Sequence, residues 1–353
     1  MRKYTLPLII LFAVYRVLTY KSGYQDGVEN VVEETINREP YVGENYQIVN
    51  VKNIKIFLPN NIDVSYGDKI KIKGVLSDGV VKNPTVIDVK ENRIVFSKER
   101  KEIIEFIKRT LPEPHSSLIS GVVLGSKSRI PEDFLTNIRN TGVAHVVVAS
   151  GMNVSLVVSV VMGIMLLFLP RRKAILAVYM FIMFYTSLSG FDPPIVRAAI
   201  MAGVTYLGQA FGRVVSTLRV LLFTIVIMII IFPYWLMDIV FILSFIATLS
   251  LVLFEKRIRK LIFFVPGVFK ESISTTLAAQ IGVTPILYVT FGSIYILSPI
   301  VNVLVLWTIP LITILGMLAS LLFYVVPTFA KLLLYMAYPL TLWFVETVNI
   351  FAK

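Results

Sequence analysis

The polar residues with the most telling spacing stand inside apolar stretches. The run His145-Val-Val-Val-Ala-Ser150-Gly151-Met-Asn153-Val-Ser155 carries a β-branched segment into a Ser-Gly pair and then resumes as an apolar helix. That junction fits a helix broken inside a membrane, and equally a helix that starts at Ser150 as its N-cap just below the membrane surface. A true break frees amides and carbonyls, each costing on the order of several kcal/mol in lipid, so it would have to border protein or water. Discontinuous helices of this kind mark translocation sites. Gly151, Ser155, Ser159 and Gly163 recur at every fourth position, which aligns them on one helix side as a packing seam. Near its outer end, Asn153 and His145 have two roles open, bonding across helices or lining a wet path.

A second stretch, Leu188-Ser-Gly190-Phe191-Asp192-Pro193-Pro194-Ile-Val-Arg197, forces an extended turn ahead of a helix. Asp192 is placed to cap that helix or to pair with Arg197. Arg197 either snorkels to the headgroups or forms a cation at the mouth of a path for a polyanion. Asp238 with Ser244, Gln280 ahead of Pro285, and Asn302 are further polar groups in apolar segments, each a candidate to face a cavity. A serine-protease reading of Ser150 meets a geometric obstacle. His145 is five residues away, about 500° around a helix, and the other imidazole, His115, lies in a connector.

These residues need a lipid-embedded scaffold. The chain has 353 residues, 56% of them hydrophobic and 16% charged, against about 25% charge in ordinary globular chains. A soluble enzyme is excluded on that ground. Zero cysteines remove disulfides and thiolate chemistry, and two histidines leave little for a zinc site. No metal, no other cofactor and no enzymatic activity is expected. The net charge of +12 suits cytoplasmic loops and phosphate contacts alike. Its clusters, Arg171-Arg172-Lys173, Arg213 with Arg219, and Lys256-Arg257-Arg259-Lys260, fall between alternate apolar runs, as an orienting role requires.

The expected fold is a polytopic α-helical membrane protein of about eight or nine transmembrane segments, with a small extracytoplasmic β-barrel of the OB type. Residues 1–20 read as a signal anchor, in which Arg16 has to snorkel or face protein. Residues 21–100 read as the β domain. There Lys69, Lys71 and Lys73 alternate with Ile70, Ile72 and, on the same inner face, Val75. Its Tyr46, Phe57, Tyr66 and Phe96 suit either core packing or base stacking. Residues 101–142 read as amphipathic connector helices, and 143–353 as a multi-span domain with apolar runs at 143–169, 174–191, 195–211, 217–232, 239–254, 273–291, 296–326 and 329–351. The 296–326 run contains Pro299 and Pro310, so it is one kinked helix or two partial ones.

At these residues the sequence resembles the ComEC family of competence proteins. Val122-Val-Leu-Gly125-Ser-Lys is similar to the family's Leu-Leu-Leu-Gly-Asp-Arg-like stretch. Thr141-Gly142-Val-Ala-His145 through Ser150-Gly151-Met-Asn153-Val154 is similar to its Thr-Gly-x-x-His and Ser-Gly-x-His-Val core. Ser189-Gly190-Phe191-Asp-Pro193-Pro194-Ile-Val-Arg197-Ala198 resembles its Gly-Phe-x-Pro turn, and Phe241, Leu243, Ser244 and Phe245 after Asp238 match a Phe-x-Leu-Ser-Phe element. Two positions depart: Asn153 stands where the family has His, and Val240 where it has Gly.

The resemblance implies an inner-membrane channel that admits single-stranded DNA to the cytoplasm during natural transformation. Many such proteins also carry a metallo-β-lactamase-like domain. No His-x-His-x-Asp-His run occurs up to Lys353, so the expected partners include a separate nuclease, a DNA receptor and a cytoplasmic motor ATPase, besides the strand and the bilayer. An oligomer is compatible with all of this. A small-solute permease suits the same broken helices, and a membrane-tethered OB binding module is a third reading, although eight spans exceed an anchor's needs.

Overall fold

The computed structural model describes residues 15–17, 19, 24, 27–36, 38–43, 46–52, 54–91, 95–126, 130–147, 151–263, 265–291 and 297–352. Most of the expected 1–20 anchor therefore lies outside the described residues. Within it, Arg16 Nε donates to the Ile230 carbonyl at 3.4 Å.

The alternating segment forms seven strands: β1 (Glu29–Thr35), β2 (Tyr41–Val42), β3 (Tyr46–Val51), β4 (Ile54–Pro59), β5 (Lys69–Ser77), β6 (Val80–Lys82) and β7 (Thr85–Lys90). Val49, Val51, Ile56, Leu58, Ile70 and Ile72 point inward and are buried. The inward parity on β5 continues to Leu76, so Val75 shares the lysine face and is exposed, contrary to the pattern read from sequence. The strands are ordered β1-β5-β6-β4-β3-β2, with β7 also on β5. This sheet is open, which corrects the expected closed OB-type barrel. Among the described residues no ladder joins β1 or β7 to β2. The two residues of β2 give too short an edge for closure, and β7 turns back onto β5, below β6 on the same strand.

On the outer face Glu33 lies between Lys69 and Lys71, at 2.7 and 2.9 Å. Hydrogen bonding to Lys69, then to Lys71, holds the Glu33 carboxyl at about 2, against an ordinary 4.5. A depressed carboxyl stabilises the fold above its unfolded value, and that contribution fades as pH falls through about 2. Carbon-detected titration of the full chain in micelles should place the Glu33 midpoint near 2, and the double variant K69A/K71A should return it towards 4.5. A midpoint unmoved by the double variant would refute this account.

The remainder is helical. Helix α1 (Ser97–Thr110) has Glu99 in its first turn and Lys108 and Arg109 in its last, as the helix dipole favours. After it come α2 (His115–Leu124), α3 (Glu132–Asn140), α4 (Ala144–Val147), α5 (Gly151–Phe168), α6 (Arg171–Ser189), α7 (Pro193–Ala210) and α8 (Thr217–Ile231). A 3-10 turn (Pro233–Met237) leads to α9 (Ile239–Leu261), α10 (Gly267–Phe291), α11 (Ser298–Val305), α12 (Thr308–Leu322) and α13 (Pro327–Phe351). Every residue of α2 is buried, and this helix is the hub against which α1, α12 and α13 pack.

Among the described residues, four helical stretches are long and apolar enough to cross a membrane: α5, α9, Lys270–Thr290 of α10, and α13. Counting α11 and α12 as one span bent by 46° makes five. This marks a membrane-associated protein and corrects the expected eight or nine spans. Arg171-Arg172-Lys173 forms the first turn of α6 instead of a loop, which shortens its apolar part. Helix α7 carries Arg197 and Gln209, and α8, with 15 residues, reaches only about 22 Å against a core of about 30 Å.

Candidate functional site

Arg197 lies one turn into α7, whose start is fixed by Pro193 and Pro194 at its first two positions. The side chain is buried and reaches α9, where Nη1 donates to the Ser244 carbonyl and to the Thr248 hydroxyl. Its other terminal nitrogen, Nη2, fills the space where any side chain at Gly151 would stand, so a Cβ there would displace the guanidinium. Arg197 Nε and Ser244 Oγ are both buried without a hydrogen-bond partner. Among the described residues Arg197 forms no ion pair, so Asp192 is not the ion partner that the sequence offered as one option. Asn153, two positions into α5 from Gly151, is buried and donates to the Val122 carbonyl of α2 at 3.0 Å. The structure thus brings together Gly151, Arg197 and Ser244, with Asn153 on the same turn of α5.

Asp192 and Asp238 meet at a different point. Arg38, just beyond β1, has its Nε 3.6 Å from Asp192 and an Nη2 ion pair with Asp238. Asp238 also accepts from the Val240 amide at 2.8 Å and so caps α9. The neighbouring Glu39 accepts from Arg100 of α1 at 2.7 and 3.0 Å. Arg100 is buried; it also donates to the carbonyls of Leu124 and Leu188, and its guanidinium lies 5.3 Å from the ring centre of Tyr66. Burial pushes the Tyr66 hydroxyl up to about 12. Arg38, Glu39 and Arg100 were not singled out from the sequence. Their one local signal is an opposite-charge pair ahead of Pro40, between two strands.

The other sequence candidates are dispersed. Asn302 on α11 donates to Ser298 at 3.2 Å, and Ser298 to the Gly142 carbonyl at 3.4 Å. Gln280 is half-buried on α10. Among the described residues no hydrogen bond links either of them to Arg197. His145 falls in α4 with its side chain outside the described set, and Ser150 lies outside the described residues altogether. Ser155 and Ser159 bond back to the carbonyls of Gly151 and Ser155, at 2.9 and 2.7 Å, and both are exposed. A Cβ at Gly163 would meet nothing within 4 Å, so of the two glycines only Gly151 stands at a close approach. His115 bonds Thr341 of α13 at 3.1 Å and sits edge-on to Tyr338. Of the β-domain aromatics, Tyr46 packs on Phe57, while Phe96 packs on Phe184 of α6 and belongs to the helical core.

Residues 122–353 match the family described as Competence protein. The chain is 28% identical over 206 residues to ComE operon protein 3 of Bacillus subtilis (strain 168), a match covering 58% of this chain and 26% of that protein. It is also 28% identical over 239 residues to an uncharacterized protein of Aquifex aeolicus (strain VF5), covering 62% of this chain and 55% of the relative. The matched region thus spans about a quarter and about half of these two relatives. No solved structure matches the chain.

Proposed function

Because the chain belongs to the competence-protein family, we propose that it conducts single-stranded DNA across the cytoplasmic membrane during natural transformation. One geometric observation carries the reading: three segments far apart in sequence, the start of α5, the start of α7 and the middle of α9, converge on one buried cation, Arg197. A conduit for a polyanion needs cationic and hydrogen-bonding groups in an otherwise apolar bundle, few enough that the strand is released as readily as it is held.

The charge layout supports an extracytoplasmic β domain. The Leu188 end of α6, the Asp192 end of α7 and the Asp238 end of α9 all touch residues 38, 39 or 100. Arg171-Arg172-Lys173, Arg213 with Arg219, and Lys256 to Lys260 lie at the opposite ends of these helices, the side that the positive-inside rule assigns to the cytoplasm. Transport needs a driving force, so a motor ATPase and a separate nuclease and receptor remain the proposed partners.

Reconstituted in liposomes with a membrane potential or a motor, the protein should admit a fluorescent single strand to a protected interior and leave duplex DNA outside. Exclusion of both nucleic acids together with entry of a small solute would favour a permease instead.

A further inference from the structure

The guanidinium of Arg197 is used on one edge only. Nη1 is spent on Ser244 and Thr248, whereas Nε has no partner and Nη2 makes no hydrogen bond among the described residues. Nε and Nη2 form the side edge of the planar fork, the two parallel N–H groups that grip two oxygens of one phosphate or carboxylate. Arg197 is 9% exposed, and a buried cation without an anion is costly to keep. Gly151, the first described residue of α5, lies against Nη2. The Ser244 hydroxyl, also buried and unpartnered, belongs to the α9 residue whose carbonyl holds Nη1. Fork and hydroxyl are both donors, and among the described residues no carboxylate pairs with Arg197.

We propose that Arg197 and the Ser244 hydroxyl, beside Gly151 of α5, form a receptor for one phosphodiester group of a passing DNA strand. This rests on the strand-conducting reading above and assigns it a residue-level contact. Because the Nε–Nη2 edge has no hydrogen-bond partner, the phosphate would break no existing hydrogen bond, although the helices enclosing these atoms must part to admit it. A single such contact would hold the strand in register without trapping it.

The test uses the full chain in a phosphate-free sugar detergent and fluorescein-labelled oligothymidylate, with anisotropy measured across a salt series. Each neutralised phosphate contributes about 0.7 to the slope of log affinity against log salt for single strands. Arg197→Gln should reduce the slope by about 0.7, one contact's worth. Gly151→Ala keeps the charge and drives the guanidinium from its place, so it should reduce the slope equally, which guards against misfolding of the first variant. Arg197→Lys should retain the slope and lose affinity, because it keeps the charge and not the fork. If the parent binds the oligonucleotide and both Arg197→Gln and Gly151→Ala, folded by circular dichroism, retain its slope, the receptor is refuted while strand conduction stands. If adding phosphatidylglycerol abolishes the difference between parent and variants while strand binding persists, the site belongs to a lipid phosphate and the proposal is overturned. Absence of any strand binding by the parent removes the strand-conducting reading and the receptor with it.

Discussion

Replacing Arg100 with alanine is expected to destabilise the protein by about 3–5 kcal/mol, the range for breaking a buried pair from one side. Arg100 is 2% exposed and serves three parts of the molecule at once: Glu39 ahead of β2, the Leu124 carbonyl at the end of α2, and the Leu188 carbonyl near the end of α6. Its loss leaves a carboxylate and two carbonyls facing low dielectric, each bearing its desolvation penalty. Denaturant unfolding in micelles measures the effect. A cycle with Glu39→Ala then tests the mechanism. If the pair acts as a unit, the double variant should cost less than the two single losses added, with a coupling of about 0.5–3 kcal/mol. Additivity within about 0.3–0.5 kcal/mol would mean that Arg100 acts through the two carbonyls alone.

The Arg100 and Arg38 junctions show where local sequence stops being informative. Period-two alternation places Ile70 and Ile72 inward, because a strand's side chains are fixed by the pleat. Counting Val75 with them breaks parity, and Gly74, with no side chain to mark its face, conceals the slip. Closure of the sheet depends on which edge β7 selects, a choice made by long-range pairing and written in no single segment. The apolar runs locate most helices, yet the basic residues at 171–173 form a helical first turn and α8 stops at 15 residues, so fewer runs are long and apolar enough to span than their number suggests. Helix α2 leaves little local mark, because ten residues are too few to span and serines at 116, 117 and 120 interrupt its apolar pattern, while its neighbours enclose it completely. The ion pair of Arg38 with Asp238 joins residues 200 positions apart. Either charge alone reads as a solvated turn. By contrast Gly151, Arg197 and Ser244 were each legible as oddities in apolar surroundings, since polarity and missing side chains are local signals. Their meeting was not.

The same contrast between local pattern and long-range contact separates two glycines under one substitution. Exchanging a helical glycine for alanine gains about 0.8–1 kcal/mol in helix propensity, so the sign at each site depends on what the added methyl meets. At Gly163, on α5, it meets nothing within 4 Å, and Gly163→Ala should stabilise the fold by about 0.5–1 kcal/mol. At Gly121, on α2, it would overlap the backbone carbonyl of Val147 on α4 and press to 3.3 Å from the Ser126 carbonyl. A flexible side chain could turn away, but a backbone oxygen moves only with its helix. Overpacking at such a site costs about 1–3 kcal/mol, which outweighs the propensity gain. Gly121→Ala should therefore lower the unfolding midpoint and Gly163→Ala raise it, measured in the same micelles. Two variants stabilised alike would show that α2 and α4 do not approach as closely as the packing around Gly121 requires.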